Sequence, residues 1–371
     1  MRTRVLWVVK GLGPGGAERL LVEHARSGDR ERLDYEVAYV LPWKRHLVPE
    51  LETLGVATHC LDVRSVADPR WIRRMQRLVR ERDVAVVHLH SPAVAAAARP
   101  ALWFRKDRPA VVYTEHNRWP SHHPVTRAAN RLTVRLADAT IAVSDDVRRS
   151  MGGAGGRVEV VSHGIDMSAL PAPESRSAVR ADLGVDDDEV LAVTVANLRA
   201  NKGYPTLLDA ARLVVDRGAP VRFVAAGQGP LEQVLRDRVV ALGLRERFTI
   251  LGYVPDATRL VAAADLFVLA SEHEGRPLAV MEALGLGVPV VATNVGGVPD
   301  LVEDGTCGLL VPPGDPDALA GAILDLVDPG TREHLARGAR ARGLSVDGRA
   351  AVGQLDALYE DLAARRTART V

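Results

Sequence analysis

Two carboxylates stand eight positions apart around a proline in Glu274-Gly-Arg-Pro277-Leu-Ala-Val-Met-Glu282. From Pro277 to Pro299, Glu282 is the only charged residue, in a stretch with the Val, Ala, Leu and Met content of buried structure. It is therefore expected to lie in a core. Burial without a partner costs even a neutral polar group roughly 2–7 kcal/mol, so such a carboxylate is expected to bind something. Pro277 suits the first helical turn. A helix over residues 277–286 would carry Glu282 on its second turn and leave Glu274 in the preceding loop. The free N–H groups of Leu278 and Ala279 would then form an anion site between the two. Two hydroxyl-binding carboxylates flanking a phosphate site describe a pocket for a sugar–phosphate–ribose compound. The competing reading is a solvated loop Glu and a second Glu paired with an Arg.

Other loops carry groups suited to the same ligand. In Asn197-Leu-Arg199-Ala-Asn-Lys202-Gly203, Lys202 is the only lysine after residue 170, in a chain with 44 arginines and four lysines. Its compact ammonium suits a phosphate oxygen, and Arg199 would add a forked donor. Gly11-Leu-Gly-Pro-Gly15-Gly16 precedes a helix expected from about Ala17, where the backbone can approach an anion closely. As a dinucleotide fingerprint this loop fails, because an NAD site wants an acid at the end of the second strand and that strand ends Tyr39-Val-Leu-Pro42. His116, in Thr114-Glu-His-Asn117, would donate to a sugar hydroxyl or stabilise developing charge. His163 reads as a turn residue. His88 and His90, at a strand end, are expected to face opposite sides and to form no metal pair. Asp186-Asp-Asp188 reads as a solvated turn. No metal site is expected anywhere.

Short apolar runs alternate with helical patterns throughout, as in parallel α/β proteins. Strands are expected at 5–9, 35–40, 84–88, 110–113, 139–143 and 158–161. The pattern restarts after Pro171-Ala-Pro-Glu-Ser175, with strands at 190–196, 221–226, 248–251, 266–269 and 288–292. The domains are thus 1–168 and 176–349, joined by a linker near 168–176, with a final helix over 350–371. Ligands of open parallel sheets bind beyond the carboxyl ends of the strands. The unusual residues cluster at those ends: Gly11–Gly16, His88 and His90, Glu115 to Asn117, His163-Gly164, Asn197–Gly203, Gly227-Gln-Gly229, Ser271–Gly275 and Thr293–Gly297. Two sheets whose carboxyl edges face one shared cleft are expected.

At 371 residues the chain is too long for one ordinary core. Apolar content of 47% with 26% charged residues is that of a globular protein. Two cysteines, Cys60 and Cys307, permit no disulfide framework or zinc spacing, and a cytoplasmic location is expected. The apolar run near the start is too short for a signal peptide, and none reaches the roughly 18 residues of a membrane span. The net charge of +1 conceals an asymmetry. Residues 1–170 hold 27 basic and 19 acidic side chains and carry +8; the remainder carries −7. The basic half suggests an anionic partner. Nucleic acid is disfavoured by the lack of a motif and by 4% aromatics. The segment Arg70 to Arg82 predicts a helix with Trp71, Met75 and Leu78 on one side and Arg73, Arg74, Arg77 and Arg80 elsewhere. It is read first as a core-packing helix with a basic exposed face, and second as a surface for an anionic membrane.

Together these residues resemble the family 4 retaining glycosyltransferases of the GT-B fold, over nearly the whole chain. Ser271-Glu-His-Glu274-Gly-Arg-Pro-Leu-Ala-Val-Met-Glu282 looks like the family's E-x7-E signature. Gly15-Gly-Ala-Glu18, Thr114-Glu-His116, His163-Gly-Ile-Asp166 and Lys202-Gly203 match weaker motifs in order. The resemblance implies two Rossmann-like domains with parallel sheets facing an interdomain cleft. The nucleotide of a UDP- or GDP-sugar would bind the C-terminal domain. Glu282 would hold the ribose, and Glu274 with the backbone after Pro277 the transferred sugar. Lys202 and an arginine would neutralise the diphosphate. His116 and the Gly15-Gly16 loop would reach the donor from the N-terminal domain, and the last helix would cross back to that domain. Asn197 stands where the family often has Arg in R-x4-K, so Arg199 is expected to supply that guanidinium. Gly229 and the backbone near Tyr253-Val254 complete the donor-binding set, the latter for base selection. No cofactor or metal is expected, since the nucleotide sugar is a substrate. The acceptor is unassigned; the basic N-terminal domain fits a lipid-linked or anionic one and peripheral association with an anionic membrane. Alternatives are a nucleotide-sugar 2-epimerase of the same fold and a non-catalytic sugar-nucleotide binding protein.

Overall fold

A computed structural model describes residues 2–104, 107–171 and 176–370. It divides into two compact units, Met1–Asp166 with Gly348–Val371, and Met167–Asp347. Of the linker expected at 168–176, residues 172–175 lie outside the described residues.

Most of the strands are runs rich in Val, Ala and Leu, buried on both faces, and all pair in parallel. In the first unit these are β1 (Thr3–Val9), β2 (Leu33–Tyr39), β3 (Ala57–Cys60), β4 (Val86–Leu89), β5 (Ala110–Glu115), β6 (Ala139–Ala142) and β7 (Val158–Val160). They pair in parallel in the order 3-2-1-4-5-6-7. The second unit holds β8 (Val190–Val195), β9 (Val221–Ala226), β10 (Phe248–Gly252), β11 (Leu266–Leu269), β12 (Val290–Thr293) and β13 (Gly308–Val311), in the order 10-9-8-11-12-13. Each unit's first strand is central, and the winding reverses beside it. The connections leaving β1 and β4, and those leaving β8 and β11, therefore diverge and open a crevice at the carboxyl ends.

Two strands, β3 and β13, lie outside the expected set, and both are sheet edges or next to one rim of their sheet. β3 reads Ala-Thr-His-Cys and is half exposed, so it shows no apolar run. β13 begins on a glycine and has two half-buried leucines.

The helix Arg70–Glu81 buries Trp71, Met75 and Val79 and exposes Arg73, Arg74, Arg77 and Arg80. Val79, not the half-buried Leu78, completes its packed face. The helix Arg349–Thr370 belongs to the first unit. Its Ala351, Leu355, Tyr359 and Leu362 share a core with Val5, Trp7 and Tyr35. Asp356 accepts from the Tyr35 hydroxyl at 2.7 Å and the Asp29 N–H at 2.9 Å, and bonds His24 Nε2 at 2.8 Å. A segment 332 positions away in sequence thus closes the first core.

Candidate active site

In the second unit the crevice is built by the loops after β8 and β11. The chain leaves β8 through Asn197 and makes one 3-10 turn, Ala200–Lys202, with Arg199 as its N-cap. Gly203 ends the turn at φ +62°, a left-handed conformation that favours glycine. A Cβ there would sit 1.8 Å from the Ala270 carbonyl oxygen at the end of β11. The absent side chain lets the two loops touch, and the Glu272 N–H donates to the Asn201 carbonyl at 2.9 Å. Two chemical groups meet as a result. Lys202 Nζ donates to Glu274 Oε1 at 2.6 Å, and Ser271 Oγ donates to the same oxygen at 2.6 Å. The Thr293 hydroxyl, at the end of β12, donates to the Ser271 carbonyl and fixes that loop from the other side. Gly296 approaches as closely: a Cβ on it would lie 1.9 Å from the Glu274 carbonyl oxygen.

The helix after this loop runs Leu278–Gly285 with Pro277 as its N-cap, one residue inside each expected boundary. Leu278 and Ala279 are its first two residues, so their N–H groups have no carbonyl one turn back to bond to. Leu278, Val280, Met281, Ala283 and Leu284 are buried, while Glu282 is half-buried. Glu282 thus stands at the rim of the core and not within it, a correction to the sequence expectation. It projects from a helix whose other residues anchor it, so it avoids the burial penalty while keeping a fixed position.

The remaining expected donor residues are placed as follows. Gly229 lies in the loop after β9, which is tied to the loop after β8. The Leu198 N–H donates to the Gln228 carbonyl at 3.0 Å, and the Leu231 N–H to the Leu198 carbonyl at 3.2 Å. Tyr253 and Val254 follow β10, whose Gly252 carbonyl accepts from the Gly227 N–H at 2.8 Å. Asn197 is half-buried and its carbonyl accepts from the Arg199 N–H. The Arg199 side chain is exposed, and the structure does not bring it to the Lys202–Glu274 pair. Ser271 is the residue that sequence reasoning left without a role. Its position three residues before Glu274, at a strand end, was the available signal.

In the first unit, Gly15 is the N-cap and Gly16 the first residue of the helix Gly16–Ser27 that follows β1. His116 is the residue after β5. Its neighbour Glu115 is fully enclosed: it accepts from the Tyr113 hydroxyl at 2.7 Å, Trp119 Nε1 at 2.8 Å and the Asn117 N–H at 3.1 Å, and meets His122 Nε2 at 3.1 Å. Glu115 is therefore an internal support for the turn that carries His116.

The histidines form one buried array. The expectation that His88 and His90 face opposite sides is corrected: residues two apart in a strand share a face, and their ring centroids are 3.9 Å apart. His90 Nδ1 lies 3.2 Å from His116 Nε2. His163 is more than a turn residue, since its ring stacks on His116 with centroids 5.8 Å apart. His88 bonds the Tyr359 hydroxyl through Nδ1 at 2.6 Å and the Thr114 hydroxyl through Nε2 at 2.7 Å. Burial pushes the His116 imidazole down to about 4, against a smaller upward pull from Glu115. Burial likewise holds His88 and His90 well below the usual range. All three are neutral at physiological pH, so they act as hydrogen-bonding groups and not as charges. Among the described residues no group of three or more His, Cys, Asp or Glu side chains is arranged to hold a metal ion.

These loops invite comparison with known proteins. Residues 14–169 match the family model "Glycosyltransferase Family 4", and residues 175–342 match "Glycosyl transferases group 1". The chain is 31% identical to an alpha-D-kanosaminyltransferase of Streptomyces kanamyceticus, over 79% of this chain and 81% of that protein. It is 30% identical to a GDP-mannose-dependent alpha-(1-6)-phosphatidylinositol monomannoside mannosyltransferase of Mycolicibacterium smegmatis, over 76% of each. Among solved structures, Alr3699/HepE of Anabaena in complex with UDP and glucose superposes with a TM-score of 0.85 at 25% identity, covering 98% of this chain and all of that one. Two parallel-sheet units of this topology, two family models spanning them in order and a relative matched over most of its length lead to one conclusion: the chain belongs to the family 4 glycosyltransferases of the GT-B fold and is a glycosyltransferase.

Proposed function

We propose that this glycosyltransferase moves a sugar from a UDP- or GDP-sugar to its acceptor with retention at the anomeric carbon and without a metal. The observation that carries the reading is the contact of Lys202 and Ser271 with Glu274 at the second unit's switch point, beside the helix N-terminus at Pro277 to Ala279. The Alr3699/HepE structures contain UDP, glucose and UDP-glucose, and the Mycolicibacterium relative is named as GDP-mannose-dependent, which supports a nucleoside-diphosphate sugar here.

In this reading Glu282 accepts hydrogen bonds from the ribose hydroxyls, and Glu274 from hydroxyls of the transferred sugar. Backbone groups near Gly229 and Tyr253-Val254 meet the base. As the anomeric C–O bond breaks, its electron pair passes to the diphosphate. Lys202, Arg199 and the N–H groups of Leu278 and Ala279 stabilise that charge. The acceptor oxygen bonds the anomeric carbon, and its proton goes to the leaving phosphate oxygen. Neutral His116 and the Gly15-Gly16 turn serve the same reaction from the first unit, His116 as a hydrogen-bond donor to a sugar hydroxyl.

The exposed Arg73, Arg74, Arg77 and Arg80 on the helix Arg70–Glu81 support an anionic or lipid-linked acceptor and peripheral binding at the inner face of the cytoplasmic membrane. Among the described residues no helix is long and apolar enough to cross a membrane.

The test is a thermal-shift panel of UDP-, GDP- and ADP-sugars, run without added metal on the wild type and Glu282→Ala. Stabilisation by one nucleotide class, lost in the variant, is expected and names the base. A well-folded protein that none of them stabilises would overturn the donor site. Conversion of the nucleotide sugar with no acceptor present would replace transfer by 2-epimerisation.

A further inference from the structure

His90 stands apart from the donor residues, yet its contacts define the state of His116. It follows β4 directly, is buried, and meets His116 Nε2 through Nδ1 at 3.2 Å. A hydrogen bond at that distance needs a proton on one of these two nitrogens and a lone pair on the other. The other end of the His90 ring decides which. His90 Nε2 is buried without a hydrogen-bond partner among the described residues. It has almost no accessible surface. A neutral imidazole holds one proton. On Nε2 that proton would be a buried donor with nothing to bond; on Nδ1 it has His116. Orphaned buried N–H groups are rarer in folded proteins than under-satisfied acceptors.

We propose that His90 is a positioning residue that sets the tautomer of His116. Its Nδ1–H donates to His116 Nε2, which places the His116 proton on Nδ1 and presents that N–H, and no lone pair, to a bound sugar. The proposal rests on the reading of His116 as a substrate-contacting group. His88 completes the device from behind: its ring lies against His90, tilted by 38° with centroids 3.9 Å apart, and is held at both nitrogens by Tyr359 and Thr114 hydroxyls, so the His90 ring has little freedom to turn. Tyr359 comes from the C-terminal helix and also accepts from Trp7 Nε1 at 3.3 Å. The orientation of His116 is thereby linked to the docking of the last helix within the same unit.

Two variants separate positioning from packing. The side-chain amide nitrogen that H90N introduces can take the place of Nδ1–H, whereas H90F fills the space and donates nothing. The first readout is the imidazole 15N spectrum, with the His116 signals assigned by their loss in H116Q. The wild type and H90N are expected to show a protonated Nδ1 and a bare Nε2 on His116, and H90F a mixture or the reverse. The second readout is transfer: H90F is expected to lose about tenfold in kcat with the donor KM little changed, the scale of one ordinary hydrogen bond, and H90N to recover most of it. A wild-type His116 protonated on Nε2, or an H90F protein with the wild-type tautomer, would overturn the proposal. The spectrum reads the tautomer whether or not a sugar is transferred. A correct tautomer shift with unchanged kcat would instead remove His116 from the reaction.

Discussion

The ammonium of Lys202 and the carboxylate of Glu274 come from loops 72 residues apart, and their pairing gives each a fixed position before any ligand arrives. The pair is largely enclosed, with side-chain exposures of 19% and 9%, so removing one partner leaves a mostly buried charge behind. Under the proposed function, the pair's value is to a reaction that leaves charge on a diphosphate. Lys202→Ala is expected to lower kcat by on the order of a hundredfold or more, the range seen for loss of one charge-stabilising donor, with a lowered melting temperature from the Glu274 carboxylate left without its cation. Ser271→Ala keeps the ion pair and is expected to cost less, about tenfold at most. Steady-state kinetics on the donor identified by thermal shift, with melting curves alongside, checks both; full kcat in Lys202→Ala would remove the lysine from the mechanism. The carboxylates and Lys202 were legible in the sequence because their types are out of place in their surroundings. The Ser271 bond was not, because spacing does not reveal which Glu274 oxygen is shared. That His88 and His90 share a face follows from strand periodicity alone, and their rings meet with centroids 3.9 Å apart.

Glycines at loop ends are what bring the elements to these distances. At Gly203 the left-handed backbone and the 1.8 Å approach to Ala270 demand the same residue for two reasons. The strands were legible where both faces are buried, since a parallel strand between two helical layers must be apolar throughout. Two of the four edge strands escaped: β3 because Ala-Thr-His-Cys is half exposed and shows no apolar run, and β13 because it opens on a glycine and its leucines are only half-buried. The helix Arg70–Glu81 carries both a packed face and a basic one, and the proposed membrane contact would use only the second. Each arginine near an anionic surface contributes about 1 kcal/mol. Arg73→Glu with Arg77→Glu is expected to weaken sedimentation with phosphatidylserine-containing vesicles by about tenfold or more at low salt. The wild-type binding should itself fade as salt is raised, through screening. Equal binding of both proteins, or binding unaffected by salt, would exclude this helix as the contact.

At the scale of the whole chain, the last helix returns to complete the first unit's core, and Asp356 is its polar anchor. Burial alone would raise the Asp356 carboxyl. Hydrogen bonds from His24, the Asp29 N–H and the Tyr35 hydroxyl outweigh that and hold it below the ordinary carboxylate value of 3.8. A carboxyl depressed on folding stabilises the native state fully above its unfolded pKa, and that contribution is lost as pH falls through the folded value. The stability difference between wild type and Asp356→Asn is thus expected to be largest above about pH 5 and to shrink as pH falls below about 4. Urea unfolding of both proteins at about pH 6 and about pH 3 reads it; a difference that stays constant would mean that the carboxylate charge is not what anchors the helix.

The sequence alone makes legible the two parallel-sheet units and the strand-end placement of the unusual residues. These follow from local rules: burial selects apolar runs, glycine and proline mark loop ends, and a carboxylate or a lysine out of context signals a task. The tertiary structure alone decided that Lys202 and Ser271 share one oxygen of Glu274, that Glu282 stands at the rim of its core, that Arg199 stays outside the ion pair and that His90 faces His116. Each of these depends on how loops from non-adjacent strands approach one another. Strand order and the registers at β4–β5 and β8–β11 set that approach, and neither is encoded within any single stretch of the chain.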